Sequence, residues 1–172
     1  IDRLKACGAA SVAVLNDAEA HLMAHGDEPL PLLNVALGTS VGIAVLDDRG
    51  RVVRPRMSQN LDLGGFRLHT SASPGQVWDA LGNAAYHELV RSLGERDGVS
   101  QYGARLGAFL GQLSNVFQPS TIVVSGGLTE AHWVFMQRAV LEELGASCPN
   151  WLEKPVVKRS PHGALAALVG AA

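Results

Sequence analysis

Residues 32–46 read Leu-Leu-Asn-Val-Ala-Leu-Gly-Thr-Ser-Val-Gly-Ile-Ala-Val-Leu, two apolar runs on either side of a glycine-bearing turn. Each run has the length and continuity of a buried strand, so Leu32–Leu37 and Ile43–Leu46 are expected to pair. Asp47-Asp48-Arg49-Gly50 is a turn signal, and Arg51–Arg54 are expected to return as a third strand of an antiparallel meander. In the first turn, Gly38 and Gly42 let backbone approach a ligand and aim successive N–H groups at it, which suits phosphate oxygens. Thr39 and Ser40 add hydroxyl donors. An ordinary hairpin turn would use the same residues. It is not a Walker A loop, because no lysine follows the glycines and a strand succeeds them.

Upstream, Asp2–Ala9 resembles a helix end, and Val12–Leu15 is a short apolar run expected to be a buried strand. It ends in Asn16-Asp17, where helical spacing begins and lasts to Gly26. A carboxylate at a strand's carboxyl end can take a proton from an attacking hydroxyl. Asn and Asp are also routine helix caps. Asp27–Pro31 is a polar, proline-bearing connector and the expected boundary between two units, 1–29 and 30–172.

Downstream, residues 57–74 lack a clean period and are expected to form a long loop. Helical spacing follows over Gln76–Leu93 and Val99–Phe117, with Pro119 as a stop. Thr121–Val124 is a β-branched strand entering Ser125-Gly126-Gly127, a turn that either lets a flat ligand lie against backbone or simply tightens the passage into a helix. A helix over Glu130–Leu144, a short strand at Val156-Val157 and a closing helix over Gly163–Val169 complete the order.

Hydrophobic residues make up 47% and charged residues 17%, enough for a buried core and too apolar for disorder. The net charge of -2 gives no basic footprint for nucleic acid. No apolar run approaches the ~20 residues of a membrane span. Cys7 and Cys148 have neither CxxC spacing nor a framework of pairs, which favours a reducing cytoplasm and argues against structural zinc. No metal-ligating set is apparent. Trp78, Trp133 and Trp151 are expected in the core or at an interface.

Four stretches, in this order, carry a resemblance: Val14–Ala20, Ala36–Val45, Pro119–Leu128 and His162–Ala172. Together they resemble the sugar-kinase and actin superfamily, and within it the ROK group (repressors, open reading frames and kinases) with the bacterial glucokinases. The resemblance implies an α/β, ribonuclease-H-like fold. Residues 30–172 would form the nucleotide-binding lobe and residues 1–29 the end of a first lobe. It implies transfer of the γ-phosphoryl of ATP, accompanied by Mg2+, to a hexose hydroxyl. Asp17 would be the base and Asn16 a sugar contact. Gly38, Thr39, Ser40 and Gly42 would hold phosphates, and Gly126 and Gly127 would border the adenosine. A homodimer is open.

The pattern departs from the family in three ways. The opening Asp-x-Gly-Gly-Thr phosphate loop belongs to the first lobe and is expected upstream; Asp62-Leu63-Gly64-Gly65 imitates it only superficially. The Gly-Glu-x-Gly-His sugar loop and its cysteine-rich zinc motif have no full counterpart. Gly64, Gly65 and His69 stand in that region, making His69 a sugar-contact candidate or a solvated loop histidine. Ser40 replaces a glycine common in the phosphate loop. A sugar-sensing domain of a ROK-type repressor is therefore the alternative.

Overall fold

The computed structural model describes residues 15–55, 61, 63, 65, 67–68 and 75–171. Its centre is a four-stranded sheet in the order β2-β1-β5-β6, built from β1 (Leu32–Leu37), β2 (Val41–Leu46), β5 (Thr121–Ser125) and β6 (Val156–Arg159). β1 and β2 pair antiparallel, whereas β1, β5 and β6 run parallel, with Ala36 opposite Ser125. β1 and β5 are buried almost throughout, as parallel strands covered on both faces must be.

One face carries Leu33, Val35, Leu37, Ile122 and Val124 into the main core. Covering it are α2 (Val77–Leu81), α3 (Asn83–Leu93), α4 (Glu95–Phe117) and α5 (Gly127–Ser147). The other face carries Leu32, Ala44, Leu46 and Val123 against Ala18 and Leu22 of α1 (Asp17–Met23). α1 also packs on α6 (Ala166–Gly170), which follows a 3-10 turn at Gly163–Leu165. Two short strands, β3 (Arg67–Leu68) and β4 (Gly75–Gln76), pair separately. No helix among the described residues is long and apolar enough to cross a membrane.

Among the described residues the most extensive helix contact is between α4 and α5, and glycines make it close. A side-chain carbon at Gly103 would lie 2.8 Å from the Met136 carbonyl oxygen, and one at Gly107 3.0 Å from Glu143 Cβ and on top of the Val140 carbonyl. Gly111 meets Ser147 in the same way. Spaced four apart, these residues form one face that lets the two backbones approach to contact distance. Buried Tyr102 in the main core donates its hydroxyl to the Leu81 carbonyl at 2.5 Å and so ties α4 to the end of α2.

Several expectations are corrected in detail. The third strand of the meander shrinks to a single bridge, Leu46 to Val52, with the Val53 amide donating to Val45. The helix expected over Gln76–Leu93 breaks at Gly82, which has extended ψ and is wedged against Thr39. Arg67 and Leu68, within the segment expected as a long loop, pair with Gly75 and Gln76 just before α2, while much of residues 57–74 lies outside the described residues, as do the expected Asp2–Ala9 helix end and the Val12–Val14 part of the first strand. α5 begins at Gly127, not Glu130, and runs past Gly145 to Ser147. Trp133 is in the core, whereas Trp78 and Trp151 are 47% and 76% exposed and lie outside it.

Two predictions follow from this packing. Gly107→Ala should destabilise the protein by about 1–3 kcal/mol, because overpacking forces α4 and α5 apart. Gly145→Ala, whose new methyl would meet only the end of the Lys154 chain at 3.4 Å, should instead stabilise by roughly 0.5–1 kcal/mol through helix propensity. Chemical denaturation of both variants checks the opposite signs.

At the α1 end, buried His25 stacks on His162 with ring centroids 5.6 Å apart. Burial first, then His162, hold the His25 pKa below its ordinary 6.5, against the opposing pull of Glu28 and Asp27 and with a further push down from His21. The unfolded chain therefore binds the proton more readily, and this contribution to stability is full above about pH 6.5 and is lost as pH falls through the lowered value. His25→Gln should flatten the decline of Tm on acidification through this window, measured as melting curves against pH.

Candidate functional site

β1 and β5 end side by side, and their carboxyl ends are where the glycine-bearing segments meet. After Ser125 the chain turns through Gly126, at φ +100°, a conformation that L side chains rarely adopt. A side chain here would sit 3.0 Å from the Leu37 amide nitrogen and 2.9 Å from its carbonyl carbon. Gly126 thus presses directly on the last residue of β1, immediately before Gly38. Gly127, the next residue, is exposed with open space beside it. Thr129, fully buried, donates its hydroxyl back to the Gly126 carbonyl at 2.7 Å and fixes the turn.

The Gly38–Gly42 turn closes on itself through the Gly38 amide and the Ser40 carbonyl, 3.0 Å apart. Thr39 and Ser40 project as exposed residues. The turn is braced from behind: the Asn83 amide at the start of α3 donates to the Gly38 carbonyl at 3.0 Å, and Gly82 abuts the Thr39 carbonyl. Gly42 lies under α1, where an added carbon would be 3.1 Å from Ala18 Cβ. The α1 start, the first turn and the Gly126-Gly127 turn are therefore one contiguous edge. Ligands of open α/β sheets collect outside such carboxyl ends.

Asn16 and Asp17 take different parts at the α1 start. Asn16 is the N-cap: its Oδ1 accepts from the Ala18 amide at 2.9 Å, and its own amide donates to Glu19 Oε2 at 3.3 Å, the reciprocal capping box. Asp17 is the first helical residue, exposed, with Oδ1 on the Ala18 amide at 2.8 Å. Glu19 is buried and pairs with Arg54 through two bonds, Nε to Oε1 at 2.6 Å and Nη2 to Oε2 at 2.9 Å. The Arg54 guanidinium, by these bonds, holds the Glu19 carboxyl below its ordinary range; burial opposes this, and the Asn16 amide adds to it.

Of the residues singled out from the sequence, Asn16, Asp17, Gly38, Thr39, Ser40, Gly42, Gly126 and Gly127 belong to this edge. His69 lies outside the described residues. Sequence reading missed Gly82 and Asn83 behind the turn, whose role depends on contacts from another helix and leaves no local signal. It also missed Glu19, although Asn16-x-x-Glu19 is a legible capping box, and Arg54, which no motif marks. Glu130 in the first turn of α5 was missed too; its Oε2 accepts from Ala164, tying this helix to the 3-10 turn. Among the described residues no group of three His, Cys, Asp or Glu side chains is arranged to hold a metal ion.

The ribonuclease-H-like architecture is the one found in solved ROK family sugar kinases. The chain is similar to a ROK family glucokinase from Streptomyces griseus, solved in complex with glucose and AMPPNP. The TM-score is 0.79 at 17% identity, over 99% of this chain and 70% of that one. Against a ROK hexokinase from Thermus thermophilus the TM-score is 0.76 at 24% identity, over 91% of this chain and 64% of that one. A ROK family transcriptional regulator, a homolog of the E. coli Mlc protein, gives 0.81 at 19% identity, over 99% of this chain and 52% of that one. This chain thus corresponds to between half and seven tenths of these proteins. No protein-family model and no curated relative matches the sequence.

Gly126→Ala should disrupt this edge, since both its backbone angle and the Leu37 backbone exclude a side chain. The expected loss is about 1–3 kcal/mol from the disfavoured conformation alone. The alanine variant of neighbouring Gly127, with open space, should remain within about 1 kcal/mol of the parent. Thermal and urea unfolding of the pair checks the contrast.

Proposed function

We propose that this chain is the nucleotide-binding part of a ROK-type sugar kinase, which in the cytosol transfers the γ-phosphoryl of ATP to a hexose hydroxyl. The observation that carries the reading is the convergence of the α1 start, the Gly38–Gly42 turn and the Gly126-Gly127 turn on one edge of β1 and β5. Residues 1–29 are read as the end of a first lobe, which supplies the remaining phosphate and sugar contacts, and residues 30–172 as the second lobe. In-line transfer needs nucleotide and acceptor clamped together, so both lobes are required for turnover.

Amides of the Gly38–Gly42 turn other than that of Gly38, which is bonded to the Ser40 carbonyl, hold phosphate oxygens together with the hydroxyls of Thr39 and Ser40, and the backbone at Gly126 and Gly127 borders the adenosine. The exposed hydroxyls and the open space at Gly127 fit such a ligand. Asn16 and His69 are read as sugar contacts. Asp17 accepts the proton of the sugar hydroxyl as its oxygen bonds to the γ-phosphorus, and the β–γ bridging oxygen leaves with its electron pair on ADP. Magnesium, when it accompanies the nucleotide, neutralises phosphate charge. It would keep several waters in its coordination beside the phosphate oxygens.

A second reading, a sugar-sensing domain of a ROK-type repressor, is favoured by the likeness to the transcriptional regulator and by Ser40, which narrows the space beside the phosphates. One substitution in the full-length protein separates them. Because Asn16 carries the cap, Asp17→Asn should leave Tm nearly unchanged. It should lower kcat for sugar phosphorylation by roughly 10²- to 10⁴-fold with the KM for ATP unchanged. Near-normal turnover in the variant, or no phosphorylation of any hexose by the parent, favours the sensor.

A further inference from the structure

Glu19 and Arg54 make the one ion pair that reaches the proposed catalytic edge among the described residues. The others join neighbours along one exposed segment, or, for Lys158 and Glu28, lie beside the opposite end of α1. Glu19 has a side chain only 6% exposed, whereas Arg54 is 48% exposed and comes from the segment after β2, 35 residues away in sequence. A buried carboxylate is costly unless its charge is matched and its oxygens are bonded. Here every bond is spent in one direction: Oε1 takes Arg54 Nε, while Oε2 is shared by Arg54 Nη2 and the Asn16 amide. A capping box needs only the last of these, and a glutamine would satisfy it. The planar, two-point guanidinium contact adds orientation that a cap does not require.

We infer that Arg54, acting through Glu19, is a positioning residue for the Asn16-Asp17 dipeptide, holding its backbone at the angle that aims the Asp17 carboxylate over the Gly38–Gly42 turn. The inference rests on the kinase reading for its effect on rate, but not for its effect on structure. Glu19 fixes the Asn16 amide, Asn16 and Asp17 both bond the Ala18 amide, and Ala18 packs on Gly42. Arg54 therefore controls the separation of proton acceptor and phosphate turn without touching either ligand. The same contact joins the segment after β2 to the α1 start, so both sides of the edge are set by one pair of side chains.

The test uses the full-length protein carrying Arg54→Met, Arg54→Lys or Glu19→Gln. Arg54→Met should speed hydrogen exchange at the Asn16 and Ala18 amides by about ten-fold or more, while amides of β5 keep their protection. It should lower kcat by about 10- to 100-fold with the KM for ATP unchanged, the signature of misplaced rather than missing groups. Arg54→Lys, which keeps the charge but not the two-point geometry, and Glu19→Gln, which keeps the cap, should each fall between parent and Arg54→Met. Unchanged exchange at Asn16 and Ala18 overturns the inference, whatever the protein turns over. So does faster exchange with full kcat retained in an active enzyme. If the parent phosphorylates no hexose but exchange at these amides accelerates, the positioning role stands and the kinase reading falls.

Discussion

The site depends on the contact between Gly126 and Leu37. Two parallel strands, β1 and β5, must end close enough that the turn leaving one lies on the backbone of the other. Only a residue without a side chain, free to take φ +100°, permits it. Everything at the candidate edge is placed relative to this contact. The Gly38–Gly42 turn starts one residue beyond Leu37, Gly127 opens beside it, and α5 takes its direction from the turn that Thr129 locks. Parallel pairing brings both carboxyl ends to one side, so a single approach aligns two segments more than eighty residues apart.

The helical layer preserves that approach by the same device on a larger scale. Gly103, Gly107 and Gly111 allow α4 to lie against α5, and α5 begins at the Gly126 turn. Bulk added between the two helices would push at the start of α5 and hence at the edge of the sheet. Tyr102 links the layer forward to α2, and the break at Gly82 brings the start of α3 against the Gly38–Thr39 backbone. The Gly38–Gly42 turn is thus held from the sheet, from α3 and from α1.

Strands were legible because β1 and β5 are buried on both faces, which forces continuous apolar runs such as Thr121–Val124. The ends of elements were less so. Gly127 reads as loop from propensity, yet the turn at Gly126, fixed by the Thr129 bond, starts the helix there. Gly82 sits in an unbroken helical period, and only the tertiary contact with Thr39 reveals the break. At the site, the glycine-bearing turns could be picked out because close backbone approach demands glycine. Asn16 was legible as a cap, but its division of labour with Asp17 was not, since both residue types serve either position. Arg54 lay beyond reach because its partner is distant in sequence and its type is common on surfaces.

The two helices that flank the outer face of the sheet, α1 and α6, come from opposite ends of the described residues and meet where Gly170 lies against the backbone of Ala20 and Ala24. The contact joins residues 150 positions apart, Ala20 and Gly170, so its loop closure costs more entropy than the local β1–β2 pairing. During synthesis α1 emerges before α6, and the part of its surface that α6 covers stays open until α6 has been made. The start of α1 is accordingly seated late, and the Gly38–Gly42 turn can form before Ala18 comes to rest against it.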